Sequence, residues 1–82
     1  MTRVALLVMY ALMEAEATSL ITAATINEIW ESSNCFSFAR STIANACETL
    51  VNAGYVSYGA KASNAYTYYI TKEGQKFYKQ NL

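Results

Sequence analysis

The side chains best suited to recognition chemistry share one face of a helix that the sequence predicts over residues 38–53. Apolar residues recur with helical spacing and define its buried face: Ile43, Ala46, Cys47 and Leu50. The opposite face carries short hydroxyls and amides where long charged side chains are usual: Ser41, Thr42, Asn45, Thr49 and Asn52. Short polar groups allow a partner to approach closely and form hydrogen bonds with the helix. The pattern therefore predicts a contact surface.

The composition argues against an enzyme. The chain has no histidine, which is the commonest general base and the commonest metal ligand. No glycine-rich phosphate loop or paired-carboxylate motif occurs. Cys47 falls on the buried helix face and Cys35 in a predicted loop, and two cysteines without histidine do not make a zinc site. We predict no catalysis, metal or cofactor, and a reducing cytoplasm, since this composition needs no disulfide.

Charge is unevenly distributed along a chain of zero net charge. Residues 1–50 carry two basic and five acidic side chains, whereas residues 51–82 carry four basic and one acidic. The C-terminal third is thus a basic surface, which points weakly to a polyanionic partner. Ordinary solvated charge explains the same asymmetry equally well.

A first helix is predicted from Thr2 to Glu16. Its apolar run, Val4 to Met13, spans ten residues, well short of the roughly 18 of a membrane span. The acidic residues that follow argue against a signal peptide, so we predict a structural helix and no membrane segment.

Two apolar stripes run along this first helix. One has the spacing of a core face: Val4, Leu7, Val8, Ala11 and Leu12. The second predicts a homodimer contact: Leu6, Met9, Tyr10 and Met13. The alternative is that the C-terminal helix of the same chain covers the second stripe.

The middle of the chain is predicted as a short strand at Thr18–Ile21 and a second helix. Thr22 is the expected N-cap of this helix, which runs to about Glu31 and buries Ile26, Ile29 and Trp30. Residues 32–37 follow as a loop.

The last third predicts a hairpin and a final helix. Strands at 55–58 and 65–70 flank a turn in which Gly59 and Asn64 suit positive φ. The five tyrosines of this region fit sheet packing, with a stacking platform for single strands as the alternative. Thr71 caps a helix over 72–80, which carries a stripe of three lysines: Lys72, Lys76 and Lys79.

Two segments carry a family resemblance. Residues 40–56, RSTIANACETLVNAGYV, resemble the recognition helix and following turn of MarR-like winged-helix regulators. Residues 68–74, YYITKEG, resemble the hairpin exit shared by MarR-like and PadR-like families. The resemblance implies one α+β winged helix-turn-helix domain over 1–82, with a three-helix core, a short strand plus a β-hairpin wing, and a C-terminal helix. Those families usually carry a further dimerisation helix or effector domain, so here the first helix serves as the dimer contact or the protein acts as a monomer.

The resemblance also implies a mechanism. The helix over 38–53 would lie in the major groove of double-stranded DNA, where arginine can pair with guanine and asparagine with adenine. A wing over 57–68 would contact a neighbouring groove or the backbone. The expected DNA-binding residues are Arg40, Ser41, Thr42, Asn45, Thr49, Lys61 and Asn64. Arg40 has an alternative as an ion-pair partner of Glu48 or Glu31, and Ser41 and Thr42 also suit a helix start.

Two classes of function follow from these patterns. The first is a sequence-specific DNA-binding transcription regulator, favoured by the polar helix face, Arg40 and Lys61. The second is a winged helix that binds a protein partner, as an antirepressor, a host-factor inhibitor or a polymerase-docking subunit would. A viral or mobile-element origin fits this second class. Zero net charge and the acidic first half favour the second class.

Overall fold

The chain folds as four α-helices and a three-stranded sheet in a computed structural model that describes residues 2–32 and 35–81. The helices are α1 (Arg3–Glu14), α2 (Ile26–Trp30), α3 (Arg40–Asn52) and α4 (Lys72–Gln80), and a 3-10 turn spans Cys35–Ser37. The strands are β1 (Ala24–Thr25), β2 (Val56–Tyr58) and β3 (Thr67–Ile70), arranged antiparallel in the order β1-β3-β2. This is the predicted α+β winged helix-turn-helix: α2 and α3 form the helix pair, and the β2–β3 hairpin forms the wing. No helix in the described part is both long and apolar enough to cross a membrane.

The core lies between α1, α3 and the inner face of the sheet. Its largest fully buried side chains come from these elements and, for Ile29, from α2: Val8, Met9, Leu12, Ile29, Ile43, Leu50, Val56 and Ile70. The four residues predicted for the buried face of α3 all lie in this core. Because α3 packs on one face and is wet on the other, its polar side chains point away from the core.

The segment between α1 and α2 differs from the prediction. Residues 18–21 are not a strand: the hydroxyls of Ser19 and Thr22 lie 2.9 Å apart and close a local turn. The strand is instead Ala24–Thr25, paired with Thr67 and Tyr68.

The N-cap prediction for α2 is also wrong, for a local reason. Thr25, not Thr22, caps the helix, because the amide of Glu28 donates to the Thr25 hydroxyl at 3.2 Å and the Thr25 amide donates to the Glu28 carboxylate at 2.8 Å. Only Thr25 has a glutamate three residues later, so only Thr25 can form this reciprocal capping box.

The end of α3 and the start of the wing follow the prediction. Gly54 has φ of 84°, a left-handed conformation that suits glycine, and β2 begins two residues later. The wing loop is longer than expected, extending from residue 59 to 66 with a bridge between Ala62 and Ala65.

Positive φ occurs in the wing at Ser63 (57°), not at the predicted Gly59 and Asn64. Gly59 serves close packing instead. A Cβ at this position would lie 2.7 Å from the Thr67 hydroxyl and 2.9 Å from the carbonyl oxygen of Leu20.

Helix α4 begins at Thr71, as predicted, and fastens the C-terminal part to the core. The Thr71 hydroxyl accepts from the Gly74 amide at 3.0 Å and donates to the Gly54 carbonyl at 2.8 Å. The Phe77 ring stacks on Tyr55 with centroids 4.5 Å apart. Helix α4 also packs against α1 and the end of β3.

Both cysteines are free and fully buried. Cys35 lies between α2 and α3, within the predicted loop, in the 3-10 turn with its thiol 3.7 Å from the Leu7 carbonyl. Burial raises the pKa of the Cys47 thiol to about 12 and also raises the pKa of Cys35.

Candidate nucleic-acid interface

The outward face of α3 is polar and open to solvent. Ser41, Asn45 and Thr49 are exposed, and Thr42 is half-buried at the edge of the face. The Thr49 hydroxyl donates to the Asn45 carbonyl at 3.0 Å, so its proton is already used and only its lone pairs face outward. That bond uses the backbone carbonyl of Asn45, so the exposed side-chain amide of Asn45 can still offer donors and an acceptor to a partner, which is what reading a base edge requires.

The N-terminus of α3 offers unpaired backbone donors. Within the described residues, Thr2, Thr25 and Thr71 cap α1, α2 and α4, whereas the cap position of α3 is Ala39, which has no side-chain hydrogen bond to give. The Thr42 amide donates to the Ala39 carbonyl at 3.0 Å, so the amides left without a cap are those of Arg40 and Ser41, at the very start of the helix. Free amides and a helix dipole together favour an anion such as a phosphate.

Arg40 is exposed and lies against an aromatic ring. Its guanidinium carbon is 6.0 Å from the centre of the Trp30 ring, a distance at the limit of a cation–π contact. The indole N–H of Trp30 donates to the Phe38 carbonyl at 2.8 Å, which fixes the ring below α3. The alternative partner Glu48 accepts from tyrosines instead, as described below.

The wing carries the other two predicted contacts. Lys61 and Asn64 are exposed in the wing loop. The Lys61 ammonium lies 4.6 Å from the centre of the Tyr66 ring, well within cation–π range. The lysine is thereby held over the wing.

A cleft of about 300 Å³ joins the two parts of this surface. The start of α2 contributes Asn27, the start of α3 contributes Arg40, and the wing contributes Asn64 and Tyr66. The structure thus brings predicted residues from α3 and from the wing to one cleft. Asn27 is an addition that the sequence did not suggest, because its position at the start of α2 depended on the Thr25 cap.

Glu48 is the second residue that sequence reasoning missed as part of this surface. Its two carboxylate oxygens accept from different strands: from the Tyr58 hydroxyl of β2 at 2.5 Å and from the Tyr68 hydroxyl of β3 at 2.9 Å. The hydrogen bond to Glu48 raises the pKa of Tyr58, and burial followed by the same carboxylate raises the pKa of Tyr68. The available signal was that Glu48 is the one acidic residue between positions 32 and 72.

The predicted dimer stripe on α1 is only partly on the surface. Met9 is fully buried in the core of its own chain, so it is wrong as a contact to a second copy. Leu6 and Met13 are half-buried and Tyr10 is 38% exposed, with its hydroxyl donating to Glu14 at 3.1 Å. Helix α4 packs against α1, as the alternative requires.

Solved structures share this fold at low sequence identity. TubR from Bacillus megaterium pBM400 matches with a TM-score of 0.83 at 15% identity, over 99% of this chain and 86% of TubR. The DNA-binding TubR fragment from Clostridium botulinum matches with a TM-score of 0.75 at 21% identity, over 100% of this chain and 98% of the fragment.

A third structure is BpsR from Bordetella bronchiseptica, whose DNA binding is regulated by 6-hydroxynicotinic acid. It matches with a TM-score of 0.77 at 12% identity, over 98% of this chain and 55% of BpsR. No protein-family model matches the chain, and no curated protein does. At these identities the likeness establishes the winged-helix fold.

Proposed function

We propose that this protein is a sequence-specific regulator of transcription that binds double-stranded DNA. In this proposal α3 lies in the major groove, and the wing over 57–68 lies against the neighbouring backbone or groove. The observation that carries it is that Arg40, at the start of the exposed polar face of α3, shares a cleft with Asn64 and Tyr66 of the wing. The fold shared with the DNA-binding TubR fragment and with BpsR, which also binds DNA, supports the same assignment.

The residues divide into two roles in this proposal. Arg40, Lys61 and the free amides of α3 hold phosphates, which fixes the position of the protein on the duplex. Asn45 and Ser41, both exposed on the face, read base edges, and Thr42, Thr49 and Asn64 add further contacts.

A titration of mixed-sequence duplex DNA by fluorescence anisotropy at about 50 and 150 mM salt tests the proposal. We expect salt-dependent binding, with Arg40→Ala and Lys61→Ala each lowering the salt slope by about one and the affinity severalfold. Lys79→Ala on α4 removes the same charge as Lys61→Ala and is the matched control, with a smaller expected effect. Absence of binding at low salt, or equal losses for Lys61→Ala and Lys79→Ala, would contradict this use of the surface.

Sequence reading is tested separately. Selection from a random duplex pool should enrich a defined site, and Asn45→Ala should relax the preference at one base pair, at a cost of about 1–3 kcal/mol there. An unchanged preference in the variant would exclude Asn45 as a reader.

We further propose that two copies pair through α1. Arg3, Tyr10 and Glu14 are exposed along one line of the helix, with Leu6 and Met13 half-buried beside them. Because the basic residue lies at one end and the acidic residue at the other, an antiparallel α1 pair would set Arg3 against Glu14 of the second copy at both ends. Pairing doubles the number of phosphate contacts, which a chain with few basic residues needs for useful affinity.

A protein partner is the second candidate function. One observation favours it: Leu20 and Ile21, in the turn before β1, are 54% and 89% exposed. Large apolar side chains at such exposure suit a protein contact. If no salt-dependent DNA binding occurs, this candidate takes the place of the first.

A further inference from the structure

We propose that Glu48 is a positioning residue of the DNA-binding surface, which holds the wing at a fixed distance from α3. The inference rests on the proposed function for its consequence in binding, and on the geometry of the free protein for the positioning itself. The Glu48 carboxylate is negative, as phosphate is, so Glu48 does not contact phosphate directly.

The first step is the bond pattern around the carboxylate. Glu48 leaves α3 in its second half and receives one hydroxyl from each strand of the hairpin. Each oxygen has its own donor, so the carboxylate cannot rotate without losing a charge-assisted hydrogen bond. One side chain of α3 is therefore fastened to both strands of the wing.

The second step is the path from this carboxylate to the wing tip. The Tyr58 ring lies 5.5 Å from the Tyr68 ring and 5.4 Å from the Tyr66 ring, between centroids. Lys61 lies over Tyr66. A continuous set of contacts thus runs from Glu48 through the tyrosines to Lys61, and Arg40 stands on the same helix as Glu48.

The third step is electrostatic. An unpaired carboxylate on this surface would repel phosphate and weaken binding. The two tyrosine hydroxyls stabilise this charge and hold the carboxylate toward the hairpin, so Glu48 is directed at the wing. The five-tyrosine region, interpreted from the sequence as sheet packing, has this second use at Tyr58 and Tyr68.

An electrostatic role and a positioning role of Glu48 predict opposite changes in DNA affinity when the residue is removed, so one substitution distinguishes them. Glu48→Ala makes the protein one unit more positive, so a purely electrostatic role predicts tighter DNA binding. Loss of positioning predicts binding about fivefold weaker, the equivalent of one net hydrogen bond. Glu73→Gln makes the same charge change on α4 and is the control, with binding equal to or tighter than wild type.

A double-mutant cycle on DNA affinity links Glu48 to the wing lysine. Lys61→Ala should cost less in the Glu48→Ala background than in the wild type, because the lysine is already displaced. Additive effects of the two substitutions, or tighter binding by Glu48→Ala, would overturn the proposal.

A measurement without DNA separates this proposal from the function on which it rests. The ¹⁵N heteronuclear NOE of residues 60–66 should fall in Glu48→Ala and in Tyr58→Phe, the latter keeping the ring but losing the hydroxyl. Circular dichroism confirms that the helices persist. An unchanged NOE in both folded variants overturns the positioning role, whereas a wild-type protein that fails to bind DNA overturns only the proposed function.

Discussion

Single residues of this protein obtain their chemistry from what surrounds them. Glu48 accepts from two tyrosines, and Arg40 lies against Trp30. Cys47 is fully buried, so its thiol stays protonated at any physiological pH. The same three residue types in water would be a hydrated carboxylate, a hydrated guanidinium and a reactive thiol.

Burial of Cys47 predicts that the fold weakens in alkali. The ordinary pKa of the thiol is 9.0, and burial raises it to about 12 in the folded chain. The folded state therefore holds its proton more tightly, so the stabilisation is complete below pH 9 and is lost as the pH rises toward 12. Between pH 9 and 12, the free energy of unfolding falls because of this one thiol by up to about 1.4 kcal/mol per pH unit.

Urea unfolding at pH 8 and pH 10.5 measures this dependence. The free energy of unfolding should be lower at pH 10.5 than at pH 8, and the decrease should be smaller in Cys47→Ala. Tyr58 and Tyr68 add their own loss of stability above pH 10, because their pKa values are also raised. Equal pH dependence of wild type and Cys47→Ala would show that the thiol is not the cause.

Individual elements depend on both local signals and close packing. The caps of α1, α2 and α4 are local, since each is a threonine bonded to an amide a few residues away. The position of α4 against the rest of the fold depends on packing, because Gly74 lies directly against the backbone of Tyr55.

The substitution Gly74→Ala distinguishes helix propensity from close packing, because the two predict opposite changes in stability. Alanine is the better helix former by about 1 kcal/mol, so helix propensity predicts a more stable protein. A Cβ at this position, however, would overlap the Tyr55 carbonyl and lie 2.8 Å from Ile70 Cγ1. We expect packing to prevail, with a net loss of roughly 1–3 kcal/mol.

Thermal unfolding followed by circular dichroism measures the change. Lys76→Ala, exposed on the same helix, is the control and should shift stability by less than about 0.5 kcal/mol. A higher melting temperature for Gly74→Ala would mean that α4 is not seated as described.

The whole molecule presents two distinct surfaces. The surface of α3 and the wing holds Arg40 and Lys61, and α1 presents Arg3 and Glu14 with Tyr10 between them. If the first binds DNA and the second a further copy, the oligomeric state sets the affinity for DNA.

Charge reversal tests the antiparallel α1 pair. Tyr10→Lys and Arg3→Glu should each shift the protein toward the monomer in sedimentation equilibrium, and Arg3→Glu combined with Glu14→Arg should restore the dimer. Ile21→Lys, which adds a charge at an exposed apolar position outside α1, should leave the dimer intact. A wild-type monomer at micromolar concentration would contradict the pairing.

The sequence by itself determined the parts whose causes are local or periodic. The buried face of α3 follows from helical spacing, the end of α3 from Gly54 and the start of α4 from Thr71, and all three agree with the structure. Thr25 was readable too, because Glu28 three residues later completes a capping box. Thr22, the predicted cap, lacks such a glutamate.

Tertiary structure decided whatever depends on residues distant in the chain. Met9 and Leu6 belong to the same apolar stripe of α1, yet only the packing of the whole chain buries one completely and leaves the other at the edge. Glu48 meets Tyr58 and Tyr68 across separations of 10 and 20 residues. Periodicity reports which face of an element is apolar, whereas contacts between elements depend on how their faces meet, and that is fixed only when the chain has folded.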